Sequence, residues 1–174
     1  GKKPDFSAAT PYIHLPWRQG GESAAVETFH IGLLPLPVDA FSQGKSPIKA
    51  LQYMRGVVTE SATAIQPGQT FAVQPFRLDV DSASQPSEFE VTFLLDGVRY
   101  QYGFAMTAQR IVSEHLLVYK AFKPQRWFER NYNAETKTET FEFGDSLKGA
   151  KATWEAATRP NSLFLSMAVQ LNSK

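Results

Sequence analysis

Apolar and polar positions alternate with a period of two on both sides of Asp96-Gly97. Phe89, Val91, Phe93 and Leu95 lead into that dipeptide, and Val98, Tyr100, Tyr102 and Phe104 lead out of it. Asp-Gly between two alternating runs predicts a β-hairpin with a type I′ turn, because both central residues need positive φ. A third strand follows over Ile111 to Phe122. Its apolar residues fall in both phases, Ile111, Leu117 and Tyr119 in one and Val112, Leu116 and Val118 in the other, which predicts an interior position. Arg126 to Tyr132 and Thr138 to Phe143 read as a further hairpin over a turn at Asn131–Glu135. Sequential strands joined by short turns make an antiparallel meander without crossover helices.

The period changes to helical at both ends of this block. Ser46 is a suitable N-cap, Pro47 suits the first helical position, and Ile48, Leu51, Tyr53, Met54, Val57 and Val58 form an apolar stripe. A helix is predicted over 47–61, then a loop over Ala62–Gln69 containing Pro67 and Gly68. Ser146–Ala157 reads as a helix weakened by Gly149, and Leu163–Leu171 as a helix capped by Asn161 or Ser162. Residues 1–43 read as irregular, because Pro4, Pro11, Pro16, Pro35 and Pro37 interrupt every candidate element. The expected class is α+β in one domain, 1–174. A mostly antiparallel sheet of five or six strands over 70–143 carries the 47–61 helix and the C-terminal helices. The expected core is Leu51, Val58, Phe89, Val91, Phe93, Tyr100, Tyr102, Leu117, Tyr119, Trp127, Phe141, Leu163 and Phe164.

Composition narrows the function classes. Apolar residues are 43% and charged residues 20% of the chain, a globular mix that argues against a disordered or fibrous one. There are no cysteines, which excludes disulfides, thiolate chemistry and Cys-based metal sites. The net charge of +1 supplies no global field for nucleic acid or an anionic membrane. Nothing is long and apolar enough to span a bilayer, and Gly1–Asp5 lacks the apolar core of a signal peptide, so a cytoplasmic protein is expected. Residues 1–98 hold 7 basic and 10 acidic side chains, and residues 99–174 hold 11 and 7, a modest asymmetry.

Three features are candidates for chemistry. Gly44-Lys45-Ser46 lies directly before a predicted helix, as in a P-loop, where backbone N–H groups and a lysine hold phosphates and a hydroxyl meets magnesium. A basic–aromatic stretch comprises Tyr119, Lys120, Phe122, Lys123, Arg126, Trp127, Phe128, Arg130 and Tyr132. It is suited to stacking bases and holding phosphates, and equally to a strand pair with its aromatics buried. His14, His30 and His115 have no metal-like spacing. Glu88, Glu90 and Asp96 fit a solvated sheet face. Ser61, Ser113 and Ser166 lack a nucleophile elbow.

The segment Gly44-Lys45-Ser46-Pro47-Ile48-Lys49-Ala50-Leu51-Gln52-Tyr53-Met54-Arg55 resembles the Walker A helix of bacterial ABC-type AAA ATPases, those with the OLD-like or abortive-infection type of ATPase domain. The resemblance runs on through Pro75–Asp79, Pro86–Val91 and Asp96–Phe104. It is strongest at Phe143–Gly149 and Thr158–Ser166. It implies the first lobe of a nucleotide-binding head, in which the P-loop helix joins an antiparallel sheet. Lys45 would hold phosphate, Ser46 would hold magnesium, Gly44 would allow close backbone approach, and Gln170 would lie near the family's switch region. ATP or ADP with magnesium is the ligand so implied.

The chain departs from that pattern. Asp39 stands where a Walker A motif has its first glycine, and a carboxylate there repels phosphate. Pro47 disfavours helical geometry at Ser46. Leu34-Pro35-Leu36-Pro37-Val38 is a poor central strand. No Walker B strand, signature motif or switch histidine follows before Lys174. The expectation is a truncated lobe with a degraded P-loop, a remodelled 1–43 segment and no ATPase activity or required cofactor. Such a chain would be a non-enzymatic protein-interaction module, binding a protein partner or a second copy to cover apolar surface. The alternatives are nucleotide binding without hydrolysis and single-stranded nucleic-acid binding through 119–132.

Overall fold

The computed structural model describes residues 29–32, 47–71, 86–121 and 123–172. Six strands form one antiparallel sheet in sequence order: β1 (Phe29–Gly32), β2 (Ser87–Leu95), β3 (Val98–Met106), β4 (Ile111–Tyr119), β5 (Gln125–Asn133) and β6 (Thr138–Phe143). Helix α1 (Pro47–Glu60) precedes the β2–β6 meander, and α2 (Lys151–Ala157) and α3 (Phe164–Asn172) follow it. The α+β class and the meander are as expected. The β2–β3 turn has φ of 50° at Asp96 and 72° at Gly97, the positive values that an Asp-Gly hairpin requires.

One face of the sheet carries two apolar rows. Val91, Tyr102, Leu116, Phe128 and Phe143 are successive register partners from β2 to β6. The neighbouring row is Phe89, Phe104, Glu114, Arg130 and Phe141, so a charged pair lies between phenylalanines. Met54 and Val57 of α1, Trp154 of α2 and Leu163 and Phe164 beside α3 complete the buried cluster. Phe128 and Phe164 are in ring contact at 4.7 Å, and Tyr53 meets Phe89 at 5.5 Å. Each fully buried aromatic or aliphatic side chain contributes about 1.5–3 kcal/mol.

A β-bulge in β4 explains why Ile111 shares the core face with Leu116 and Val118, and a second bulge lies in β5. Ala105 pairs with Ser113 but Met106 with Ile111, so Val112 is an extra residue. That shift brings Ile111 into phase with Glu114, Leu116 and Val118 on the core face. Leu117 and Tyr119, expected in the core, are half-buried and lie in the opposite phase. On β5, Leu116 pairs with Phe128 and Leu117 with Arg126, so Trp127 is extra. The bulge turns Trp127 toward Tyr100, which it meets edge-on at 6.1 Å.

Other expectations need correction. A strand, β1, occurs within the stretch read as irregular, because pairing with β2 is non-local and leaves no periodic signature. Residues 1–28 and 33–46 lie outside the described residues, as does 72–85, so the meander is described from Ser87. The third strand ends at Tyr119. The 146–157 helix starts at Lys151, because Gly149 has φ +123° and the Trp154 ring occupies the space of its missing Cβ. The last hairpin turns at 134–137, where the Asn133 side chain accepts from the N–H groups of Glu135 and Thr136. Asp96 is in a turn rather than on the sheet face. The deep core also includes Met106, Ile111, Leu116, Val118, Phe128 and Trp154.

Lys137 closes that last turn with φ 56°, a left-handed conformation that disfavours a Cβ. Lys137→Gly is expected to raise unfolding stability by about 0.5–1 kcal/mol, read from urea denaturation, through relief of this local strain.

Candidate functional site

The motif residues Gly44, Lys45 and Ser46 lie outside the described residues; the helix they precede does not. Its C-terminal end is held by the segment after α2. Arg159 Nη2 donates to the carbonyls of Ser61 (3.3 Å) and Ala62 (2.9 Å), a cation at the end of α1 where the helix dipole favours one. Asn161 Nδ2 donates to the carbonyls of Gln66 (2.8 Å) and Gln69 (3.1 Å). Ser61 Oγ donates to Ser166 Oγ at 3.2 Å, and Ser166 Oγ donates to the Val58 carbonyl at 2.5 Å. Ser61 and Ser166 are buried, so these hydroxyls join α1 to α3 away from water.

The start of α3 is capped from outside. The expected caps, Asn161 and Ser162, are engaged elsewhere: Ser162 Oγ accepts the Arg159 N–H, and Asn161 holds the loop after α1. Instead Ser61 Oγ accepts the N–H of Leu163 (3.1 Å), and Glu114 accepts those of Phe164 (2.6 Å) and Leu165 (3.0 Å). A carboxylate from β4 thus meets the positive end of a helix dipole. Tyr102 Oη donates to the same carboxylate at 3.0 Å. Arg130 lies 3.8 Å from Glu114, and both side chains are fully buried.

Arg130 has further partners. It bonds Glu139 at 2.9 Å through Nη2 and 3.0 Å through Nε, and the carbonyls of Ser162 (2.6 Å) and Arg159 (3.0 Å). Arg110 adds a second cation on Glu139 at 3.1 Å. Burial pushes the Glu114 carboxyl above its ordinary value, against the opposing Arg130 charge, the two amides and Tyr102. Burial, with the negative Glu114 beside it, pushes the Tyr102 hydroxyl well up. The arrangement is therefore a structural one: its donors and acceptors point at backbone and at one another.

A second polar row crosses the other face of the sheet. Glu90, Gly103, His115 and Glu129 are successive partners. His115 Nε2 reaches Glu90 Oε2 at 3.4 Å, with the imidazole over Gly103, where a Cβ would stand 2.7 Å from the ring. Burial works to raise the Glu90 carboxyl, but hydrogen bonds from His115 and Gln101 and the His115 charge outweigh it and hold the value below 4.5.

The basic–aromatic stretch does not form one surface. Phe128 and Arg130 are buried, and Phe122 lies outside the described residues. Arg126 is bonded to Glu129 and Glu142, each at 2.7 Å. The Arg110 guanidinium covers the Tyr132 ring at 3.2 Å, and that of Arg99 covers Tyr119 at 3.7 Å. Gln170 is exposed on α3. His30 falls on β1 and His14 outside the described residues. Among the described residues no group of three or more His, Cys, Asp or Glu could hold a metal ion.

Beside α3 lies an open groove of about 480 Å³, walled by Leu116, Trp127, Leu147, Leu165, Ala168 and Val169. The Glu114–Arg130 cluster was missed in the sequence, although one signal was present. Glu114 shares the phase of Leu116 and Val118, and a carboxylate on an otherwise apolar strand face needs a partner.

Arg130→Met leaves Glu114 buried without its cation. It is expected to cost about 3–5 kcal/mol in urea unfolding. Adding Glu114→Leu should recover part of that loss but not all, because the Phe164 and Leu165 amides stay uncapped. Part of the acid sensitivity should trace to Glu90. Its folded value is lowered, so its contribution is present above the ordinary 4.5 and is lost as pH falls through the lowered value. Urea melts of Glu90→Gln should show a flatter acid limb than the parent protein.

No helix among the described residues is long and apolar enough to cross a membrane. No curated protein and no solved structure matches the chain. The family model described as "AAA domain, putative AbiEii toxin, Type IV TA system" matches residues 46–169, more than two thirds of the sequence. The matched span takes in α1, strands β2 to β6, α2 and the Arg159–Ser166 clamp, and ends within α3. The chain belongs to this family of AAA domains, an ATPase-like nucleotide-binding module.

Proposed function

We propose that this chain is the first lobe of an ABC-type, OLD-like ATPase that serves as a non-enzymatic protein-interaction module in the cytoplasm. In this reading residues 1–174 form one domain and the nucleotide site has been lost. The observation that carries the reading is the second apolar stripe of α3. One side of the helix is buried through Phe164 and Met167, while Leu165, Ala168 and Val169 line the groove and Val169 is 63% exposed. An apolar stripe beside an apolar groove is a surface for another protein chain, a partner or a second copy. The departures at Asp39 and Pro47 support loss of phosphate binding, because phosphate cradling depends on backbone geometry.

One observation favours a second reading, in which the lobe binds nucleotide without hydrolysing it. Arg159, Asn161 and Ser166 hold the C-terminal end of α1 in place, which keeps the helix after Gly44-Lys45-Ser46 in a set orientation. Lys45 would then hold phosphate and Ser46 magnesium, with Gln170 near the switch region. Calorimetric titration with ATP and ADP, with and without magnesium, separates the two. The interaction-module reading expects no binding at millimolar nucleotide and no change in solution mass when nucleotide is added. Magnesium-dependent binding that disappears in Lys45→Ala would replace it with the second reading.

A further inference from the structure

The groove beside α3 opens at an end of the sheet where, among the described residues, four lysines stand without a carboxylate partner. Leu165, Ala168 and Val169 have the i, i+3, i+4 spacing of a single helix face, and Asn172 continues it at i+7. Trp127 forms part of the opposite wall because its bulge turns it to this side. Lys148 lines the groove itself. Its ammonium donates to the Asp145 carbonyl at 2.9 Å, and that of Lys151 to the Gly144 carbonyl at 3.0 Å. Lys120 lies 6.0 Å from the Trp127 ring, and Lys123 is exposed in the same β4–β5 connection. Among the described residues none of these four lysines has a carboxylate partner, whereas Arg126 nearby has two. Asp96 and Asp145 are the acidic residues in the turns at this end.

We infer that the groove between α3 and the β4–β5 end of the sheet is a docking site for an acidic amphipathic helix of a partner protein. Its apolar stripe would lie along Leu165, Ala168 and Val169, and its carboxylates would face Lys120, Lys123, Lys148 and Lys151. The inference rests on the interaction-module reading and adds the partner's chemistry. Charge complementarity selects an acidic partner, since a lysine rim repels a basic one and steers an acidic one toward encounter. The shape selects a helix, because a trough lined by one helical stripe accepts anchors at i, i+3, i+4 and i+7. Nucleic acid fits less well. Among the described residues at this end, the Tyr119 ring lies beneath Arg99 and the Trp127 ring stands edge-on to Tyr100, so neither offers an open stacking platform.

A display library of randomised helical peptides of about 16 residues, roughly four turns, tests this on the full chain. Selection on the parent protein, counter-selected on Val169→Glu, should enrich peptides with that apolar spacing and flanking Asp or Glu. Val169 is exposed, so the variant keeps its fold, to be checked by circular dichroism. An enriched peptide should bind Val169→Glu and the Lys148→Glu, Lys123→Glu double variant at least about tenfold more weakly, a difference of about 1.4 kcal/mol. Its affinity should fall with added salt. Enrichment of basic or uncharged peptides, or binding unaffected by both variants, would overturn the inference. So would tighter binding of a thymidine oligonucleotide or of phosphatidylserine vesicles through the same lysines. Failure here leaves the nucleotide titration to judge the broader reading independently.

Discussion

The Glu114 carboxylate is the point on which the C-terminal half of the structure depends. It stands on an interior strand, fully buried, and receives the first amides of α3. An isolated carboxylate in that position would be costly to desolvate. Tyr102, two backbone N–H groups and Arg130 together make it tolerable, and each belongs to a different part of the chain. Arg130 extends the arrangement to Glu139 on β6 and to the carbonyls of Arg159 and Ser162. Strands β3 to β6 and the start of α3 are therefore specified by one polar cluster inside an aromatic core. Such a cluster adds less net stability than well-packed apolar residues do, but breaking it by halves is expensive.

The same segment that Arg130 holds also holds α1. Arg159 and Asn161 satisfy carbonyls at and beyond the end of that helix, and Ser61 and Ser166 bond across the α1–α3 contact. Helix α1 is thus tied at its C-terminal end to α3, and α3 to the sheet. The tie therefore runs from the end of α1 through α3 to the sheet beside the groove. The proposed docking helix would bind against the outer stripe of the element that carries this tie.

Much of this architecture was legible in the chain. Period-two alternation around Asp96-Gly97, the start of α1 at Pro47 and the apolar stripe of α1 rest on neighbouring residues alone, and such local patterns survive into the fold. The bulges at Val112 and Trp127 were not legible, because an extra residue in a ladder shows only when both strands are paired. They account for the exchange of Leu117 and Tyr119 for Leu116, Val118 and Phe128 in the deep core. The α3 cap was misread for the same kind of reason: Asn161 and Ser162 are good local caps, but tertiary partners engaged them first.

The sequence by itself determined the α+β class, the meander, the helices and membership of the AAA-domain family, since each follows from periodicity or from motifs in order. Tertiary structure alone decided that Glu114 caps a helix 50 residues away and that Arg159 holds the carbonyls just after α1. It also decided that the basic–aromatic stretch divides between core and surface, and that α3 keeps an open stripe. These outcomes depend on which groups share a buried volume once the sheet is formed. Desolvation then compels each polar group to find a partner wherever in the chain that partner lies.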